Sequence, residues 1–441
     1  MALQILNPED LTTNFTTYLT DFETIKQNIY DFNQKSFHKI SFKYNHTPDD
    51  KRLIIYNDFV KTPTKDKLFN NSRSIVLSLD EQVPNAYKLV AYTHPVVDYN
   101  NHGKMNGFAD KKFTECYEGT LMSVYYCNGK WNYSTRRCLD ASQSFWTYNN
   151  KISDVSHYDM FLDSLVTSVA DFEASLDVSK SYYFVVVHHK NKTYVDYTER
   201  FGASYKKIFL LFVRDSRMNE TSTYNDVLRV YEDKSVPLTN EQVKERVESD
   251  KNVMGYSLND DGQFYVYHTK YYEQFEKAAP YAHSYEVMLI ELYKRDNLDE
   301  HFKLFPENTK YKQTNFDSKG VMYGVFTYSS MTLLNLYYYF TSYDGVALSH
   351  KNAEDFKKLF TEKNFTLQSL LYKMKGTVLS QKRKLEINDV KKLLKYYINS
   401  QDLVRCLKEM EEVKKTEGVL FKKINPKYNS NAIVNEFLKN L

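Results

Sequence analysis

The sequence predicts an α+β protein in which an antiparallel-sheet domain, residues 1–290, precedes a mainly helical, basic domain, residues 291–441. Short runs rich in β-branched and aromatic residues follow one another between residues 70 and 270, too closely for helical crossovers. Apolar residues near the C-terminus recur instead at steps of three and four. Charge changes as well, because residues 361–441 carry 17 Lys and Arg against 9 Asp and Glu, whereas the whole chain has a net charge of +3.

The first elements are a helix and a series of strands. Phe22, Ile25, Ile29 and Phe32 share a helical face, and a strand is expected over 53–56. Further strands are predicted over 74–79, 88–93, 119–126, 130–135, 182–188, 207–213 and 263–268. The dipeptide Asn128-Gly129 between two of them predicts a tight hairpin turn.

Helical patterns follow in two places. Residues 158–176 place apolar side chains on one face and predict one amphipathic helix. A basic linker over 381–384 is expected to precede a helix over 389–398. The last predicted helix starts at Ser400 as its N-cap, and its apolar face holds Leu403, Leu407, Met410 and Val413.

Composition excludes several classes of protein. Only 12 Gly and 9 Pro occur among 441 residues, which argues against low-complexity disorder and against glycine-loop nucleotide folds. No apolar run is long enough to span a membrane and the start lacks a signal-peptide pattern, so a soluble, intracellular protein without a membrane partner is expected. The four cysteines form no Cys-x-x-Cys pair, so we expect no metal site and no disulfide framework.

One segment carries a family resemblance. Residues 115–126, the Asn-Gly hairpin and residues 131–137 resemble motif I of the covalent nucleotidyltransferases, most closely the phage-type RNA ligases and their relatives in large cytoplasmic DNA viruses. That motif is K-x-D/E-G-S/T, in which the lysine amine attacks the α-phosphate of ATP. Glu118 and Gly119 stand at its acidic and glycine positions.

Further segments resemble the family's other motifs in the family's order, over about residues 50–290. Residues 71–76 resemble the strand whose arginine approaches the ATP phosphates, and 182–192 resemble motif III. Residues 253–257 and 264–271 resemble motifs IV and V. The resemblance implies a nucleotidyltransferase-like domain, with the strands of motifs I, III and V side by side.

The charged positions of these motifs are replaced. The degenerate positions are Cys116 for the motif I lysine, Val185 and Met254 for the glutamates of motifs III and IV, and Tyr265 and Tyr267 for the lysines of motif V. A thiol beside two glutamates is a poor nucleophile, and phenols cannot replace ammonium groups near neutral pH. The resemblance therefore implies a ligase-like pseudoenzyme that uses no cofactor.

Three hypotheses follow. The first is an inactive RNA-ligase-like viral protein, retained as a nucleic-acid or protein-binding module in the host cytoplasm or the virion. The second is an active RNA ligase or nucleotidyltransferase with a divergent nucleophile, which would need ATP and Mg²⁺. The third is a virion structural or assembly protein.

Basic residues are the candidate binding groups. The expected partner is RNA or DNA, bound with low specificity, or a viral protein. Arginine matches phosphate geometry well, although ordinary salt bridges or solvated faces are the alternative at each position. The candidates for phosphate or nucleic-acid contact are Arg73, Arg136, Arg137, Lys382, Arg383, Lys384, Lys391 and Lys392.

Overall fold

The computed structural model divides the chain into two compact units. The first comprises the residues up to Gln274 without Tyr148–Lys151, and the second comprises that short segment and the residues from Phe275 onward. The structure describes residues 21–439 except 37, 46, 48–49, 81–82, 84, 149–150, 192, 222–224, 281–283, 306–317, 342–351, 361–364, 382–383 and 425–431.

The first unit is built on β-sheets. Its strands are β1 (Ile40–Tyr44), β2 (Arg52–Asn57), β3 (Ile75–Leu79), β4 (Tyr87–Tyr92), β5 (Asp98–Tyr99), β6 (Thr114–Cys116), β7 (Thr120–Cys127), β8 (Lys130–Thr135), β9 (Phe145–Tyr148), β10 (Lys151–Ser156), β11 (Ser181–His188), β12 (Lys206–Arg214), β13 (Glu220–Thr221), β14 (Gly255–Asp260) and β15 (Gln263–His268).

Three of the sheets form the body of the first unit. Their strand orders are β1-β2-β3-β4, β13-β12-β11-β7-β8 and β5-β15-β14-β6. All pairings are antiparallel except that of β15 with the short β5. The predicted hairpin is confirmed, since β7 and β8 pair and Asn128 and Gly129 have φ of 54° and 74°.

Helices cover parts of these sheets. They are α1 (Phe22–Lys35), α2 (Lys67–Asn71), α3 (His102–Met105), α4 (His157–Asp163), α5 (Val169–Ala174), α6 (Thr198–Phe201), α7 (Asp226–Arg229) and α8 (Asn240–Ser249); α9 (Lys270–Ala278) crosses the division between the units. The predicted first helix is confirmed, and its buried residues Ile25, Ile29 and Phe32 pack with the β1–β4 sheet.

The single helix predicted over 158–176 is wrong, because the structure has two. Helix α4 ends at Asp163 with Ser164 as its C-cap, and α5 starts after Ser168, whose hydroxyl accepts a hydrogen bond from the backbone N–H of Asp171. A serine at this position stabilises a new helix start rather than continuation. Both helices still bury apolar residues in one cluster, which includes Phe161 and Phe172.

Strand β11 lies at the centre of the first unit and is buried along its whole length. Because side chains alternate along a strand, Phe184 and Val186 pack in the cluster with α4 and α5, whereas Val185 and Val187 pack in a second cluster on the other face. The second cluster contains residues of β14 and β15.

The second unit is mainly helical. Its described helices are α10 (Tyr285–Lys294), α11 (Leu298–Leu304), α12 (Ser318–Phe340), α13 (Ala353–Leu359), α14 (Phe365–Gln381), α15 (Ile387–Lys392), α16 (Ser400–Thr416), α17 (Gly418–Ile424) and α18 (Ala432–Lys439). A π-helix, Leu393–Tyr397, continues α15 directly. Helix α16 has the predicted buried face, but its N-cap is Asn399 rather than Ser400, because the Asn399 side chain accepts from the backbone of Asp402.

The predicted fold class is confirmed: the protein is α+β, with antiparallel sheets followed by a helical C-terminal region. Within the described residues, no helix is both long and apolar enough to cross a membrane.

Candidate functional site

The motif I segment passes from one sheet to another. Cys116 ends β6 and pairs with Gly255 of β14, whereas Thr120 starts β7 and pairs with Val186 of β11. Residues 117–119 therefore connect the four-stranded sheet β5-β15-β14-β6 to the five-stranded sheet. The strands of motifs I and III are neighbours, as predicted. The motif V strand β15 is not, because it lies in the four-stranded sheet beside β14.

The Glu118 carboxylate is engaged in the protein's own structure. One carboxylate oxygen accepts hydrogen bonds from the backbone N–H groups of Tyr194 (2.6 Å) and Val195 (3.0 Å). The backbone N–H of Glu118 donates to the Tyr197 hydroxyl at 2.6 Å. Glu118 thus holds the segment after β11 against the motif I connection.

Gly119 and Gly255 are required by close backbone contacts. A Cβ on Gly119 would lie 2.3 Å from the carbonyl oxygen of Val186, and one on Gly255 would lie 2.3 Å from the carbonyl oxygen of Tyr267. Contacts under 3.0 Å force the backbone to move. Each glycine permits two segments to approach within a distance that any side chain would prevent.

Cys116 has the properties of an inert thiol. Burial raises its pKa to about 12, so the sulfur is protonated at neutral pH. The thiolate is the nucleophilic form of cysteine, and the Arg200 guanidinium, which contacts the flanking residues Glu115 and Tyr117, is paired with the Glu115 carboxylate. Cys116 is therefore poorly suited to attack a phosphate.

The other degenerate motif positions meet in a hydrophobic core. Val185, Tyr265 and Tyr267 are buried in one cluster, and Met254 packs against it. Aromatic rings fill the space around the tyrosines: the Phe108 ring centroid is 4.8 Å from that of Tyr265. The positions that hold charged groups in the resembled family thus serve here in packing.

A lysine does approach the motif V strand. The Lys104 ammonium lies 5.2 Å from the Tyr265 ring centroid and 3.1 Å from a carboxylate oxygen of Asp98. The hydrogen bond to Asp98 raises the pKa of Lys104. An amine must lose its proton to attack phosphorus, so this lysine is held in its unreactive form.

The three candidate arginines of the first unit lie near one another. Burial, followed by the charges of Arg73 and Arg137, lowers the pKa of Arg136 to about 9. Arg136 donates to the backbone and side-chain oxygens of Asn57, and the exposed Arg137 lies 5.7 Å from the Tyr56 ring centroid. The structure therefore brings Arg73 close to Arg136 and Arg137, although up to 64 sequence positions separate them.

Arg73 differs from the other buried arginines of the described chain. Arg52 is paired with Asp50 and the Tyr125 hydroxyl, and Arg214 donates to two backbone carbonyls and to Glu220. Arg73 is 9% exposed, yet its Nε is buried without a hydrogen-bond partner, and its guanidinium makes no ion pair with any described residue. A buried cation without a partner is costly.

The candidate residues of the second unit are partly described. Lys382 and Arg383 lie outside the described residues, and Lys384 is exposed. Lys391 and Lys392 line a concave site of about 310 Å³. Lys395, whose charge the sequence also counted among the candidate phosphate contacts, lines it too, whereas sequence reasoning missed Tyr293, Phe326, Asn388 and Tyr396.

Within the part of the chain that the structure describes, no group of three His, Cys, Asp or Glu residues is placed to hold a metal ion. The four cysteines are free thiols.

Fold and site together define an α+β protein whose first unit has an aromatic-filled core at the resembled motif positions and a cluster of three arginines. No protein-family model matches the chain, and no curated protein matches it. Among solved structures, the chain is similar to a protein from Aquifex aeolicus described as an ATP-dependent DNA ligase, with 9% identity and a TM-score of 0.36. That likeness covers 68% of this chain and 77% of the other, and at this TM-score it carries no argument about activity.

Proposed function

We propose that this protein is a ligase-like pseudoenzyme that binds a phosphate-bearing ligand without becoming nucleotidylated. The observation that carries the binding part is the buried, unpartnered Nε of Arg73, whose guanidinium lies near Arg136 and Arg137 and makes no ion pair with a described residue. Guanidinium groups bind phosphate oxygens in a bidentate manner, and a bound phosphate would supply the counter-charge that the described residues do not.

The loss of nucleotidyl transfer rests on the motif positions. The motif I residue is a protonated thiol, and the positions expected to hold acidic and basic groups contribute apolar and phenolic side chains to a core. Electrostatic stabilisation by metal ions and cations supplies most of the catalysis in phosphoryl-transfer reactions. The motif positions of this chain offer little electrostatic stabilisation of that kind. This favours the pseudoenzyme over the alternative of an active enzyme using ATP and Mg²⁺.

Incubation with labelled ATP or GTP and Mg²⁺ is expected to leave no covalently attached nucleotide on the protein. The substitution Cys116→Lys is expected to leave that result unchanged, because Val185, Met254, Tyr265 and Tyr267 would still lack the charges of the resembled motifs. Gel autoradiography and intact-mass measurement test both proteins. A nucleotide attached to any lysine of the natural sequence would contradict the pseudoenzyme assignment.

The arginine cluster is tested with Arg73→Met. Removing a buried, unpaired cation is expected to stabilise the free protein, by ~1 kcal/mol or more. The same substitution should remove the rise in melting temperature that tripolyphosphate or ATP produces in the natural protein, since a ligand stabilises the folded state that binds it. Differential scanning fluorimetry with increasing tripolyphosphate measures both effects.

The matched control is Arg214→Met. Arg214 is equally buried but donates to the Thr93 and Met218 carbonyls, so its loss leaves buried acceptors unpaired and should destabilise the protein. If Arg73→Met destabilises the free protein as much as this control and leaves the phosphate response intact, the arginine cluster has a structural role instead.

A further inference from the structure

The second unit carries a basic surface with exposed aromatic rings that is separate from the arginine cluster. We call it the lysine–tyrosine patch and define it as Lys391, Lys392, Lys395, Tyr323 and Tyr396. Its three lysines line the concave site of about 310 Å³, and among the described residues no carboxylate lines that site. The lining is therefore positive and open to an anionic ligand.

The lysines differ in their partners. Lys392 is exposed and has no ion pair with a described residue. The Lys391 ammonium lies 4.3 Å from the Tyr323 ring centroid and donates to its hydroxyl at 3.3 Å. The Lys395 ammonium is paired with Asp296 at 2.6 Å and lies 5.3 Å from the Tyr396 ring centroid. Two of the three positive charges thus remain without a carboxylate partner.

Two tyrosine rings of the patch are largely exposed to solvent rather than buried in the core. Tyr323 is 58% exposed and Tyr396 is 63% exposed, whereas Phe326 at the base of the site is buried. A tyrosine ring offers a flat face on which any base can stack, at a small cost in conformational entropy. Exposed rings interleaved with free ammonium groups match the alternation of bases and phosphates along a single strand.

A backbone irregularity produces this arrangement. The π-helix Leu393–Tyr397 follows α15 and buries Leu394 while it exposes Tyr396. A π-helical turn inserts a residue relative to α-helical spacing, so side chains that would otherwise face inward are rotated outward; such turns occur frequently at functional sites. Here the turn places Lys395 and Tyr396 on the rim of the concave site.

From this geometry we infer that the lysine–tyrosine patch binds single-stranded nucleic acid, with Lys391 and Lys392 contacting phosphates and Tyr396 stacking on a base. The recognition is independent of sequence, because stacking and phosphate contacts do not read base edges. An acidic protein segment would match the charge but would gain little from an exposed ring face, so the aromatic exposure favours the nucleic acid.

The test measures fluorescence anisotropy of labelled oligothymidylate with the full chain at low and at moderate salt. Binding should weaken with salt, with a log-log slope of about −0.7 for each phosphate contacted. The double variant Lys391→Gln/Lys392→Gln should reduce both the affinity and the slope. Tyr396→Ala should weaken binding ~10-fold, while Tyr396→Phe, which keeps the ring, should bind as the natural protein does.

The matched control is Lys408→Gln/Lys415→Gln, which removes the same charge from exposed positions of α16 that do not line the site. It should retain the natural affinity. The inference is overturned if this control weakens binding as much as the patch variant, if no binding occurs at low salt, or if Tyr396→Phe binds as weakly as Tyr396→Ala. Competition by polyglutamate as strong as that by oligothymidylate would assign the patch to an acidic protein instead.

Discussion

Acidification from pH 6.5 towards pH 4 is expected to destabilise the first unit steeply, by ~4 kcal/mol per pH unit where three buried histidines act together. Burial lowers the pKa of His268 to about 3 and that of His157 to about 4, and it holds the pKa of His94 well below 6.5. Positive charges add to the effect: Arg73, Arg214 and Arg136 face His94, and Lys61 faces His268.

The direction follows from proton binding. Above pH 6.5 each histidine is neutral in both states and contributes no pH dependence. Between that pH and its folded-state pKa, the unfolded chain binds a proton that the folded protein does not, so the free energy of unfolding falls as the pH falls. Each histidine contributes up to ~1.4 kcal/mol per pH unit in this window.

Urea unfolding at a series of pH values, followed by intrinsic fluorescence, measures the slope. His268→Gln should reduce it by up to ~1.4 kcal/mol per pH unit, because one proton-binding site is gone, while the other buried histidines, including His188, whose pKa burial also lowers, remain. His102→Gln, at an exposed position, should leave the slope unchanged. A free energy of unfolding that stays constant down to pH 4 would contradict the neutral buried histidines.

Gly119→Ala is expected to lower the free energy of unfolding by about 3 kcal/mol or more. Its Cβ would lie 2.3 Å from a backbone oxygen of the central strand β11 and 2.8 Å from the Val185 side chain. A backbone atom within a sheet cannot yield without disturbing its hydrogen-bonded neighbours. Gly255→Ala should have a similar effect, because its Cβ would meet the backbone of β15.

Gly107→Ala provides the comparison. No atom lies within 4 Å of the position that its Cβ would occupy, so its effect should stay within ~0.5 kcal/mol of zero. Chemical denaturation of the Gly119→Ala, Gly255→Ala and Gly107→Ala variants measures their free energies of unfolding. A Gly119→Ala protein as stable as Gly107→Ala would show that the connection between the two sheets has room to adjust.

The strands were predictable because their signal is local. Strands β8 and β15 have the predicted bounds, and the other predicted strands differ from the observed ones by a residue or two, since alternation and the Asn-Gly turn are encoded in adjacent residues. The helix break between α4 and α5 was missed because the apolar spacing continues across it. Only the hydrogen bonds of Ser168 distinguish the two possibilities.

Helix α12 was also missed, for a different reason. Its 23 residues include many aromatic and β-branched side chains, which are typical of strands. Amphipathic periodicity is weak when a helix is surrounded, and α12 buries side chains around much of its circumference, including Met322, Val325 and Leu336. Local sequence therefore lacks the signal that identifies an ordinary surface helix.

The candidate site, too, was predictable from the sequence only in part. The replacement of charged motif residues was visible in the sequence, but their burial in a common aromatic core depends on the pairing of β14 with β6 and β15. Arg73, Arg136 and Arg137 were named individually from the resemblance. Their proximity and the missing partner of Arg73 are properties of tertiary structure.

The packing of α12 against α18 has a consequence for synthesis on the ribosome. Gly324 of α12 approaches Val434 of α18 so closely that a Cβ at 324 would lie 2.9 Å from the valine side chain. At roughly 5–20 residues per second, the last helix is made on the order of 5–20 seconds after α12. During that interval the apolar surface of α12 lacks this partner, so the nascent second unit is expected to be more prone to aggregation than the complete one.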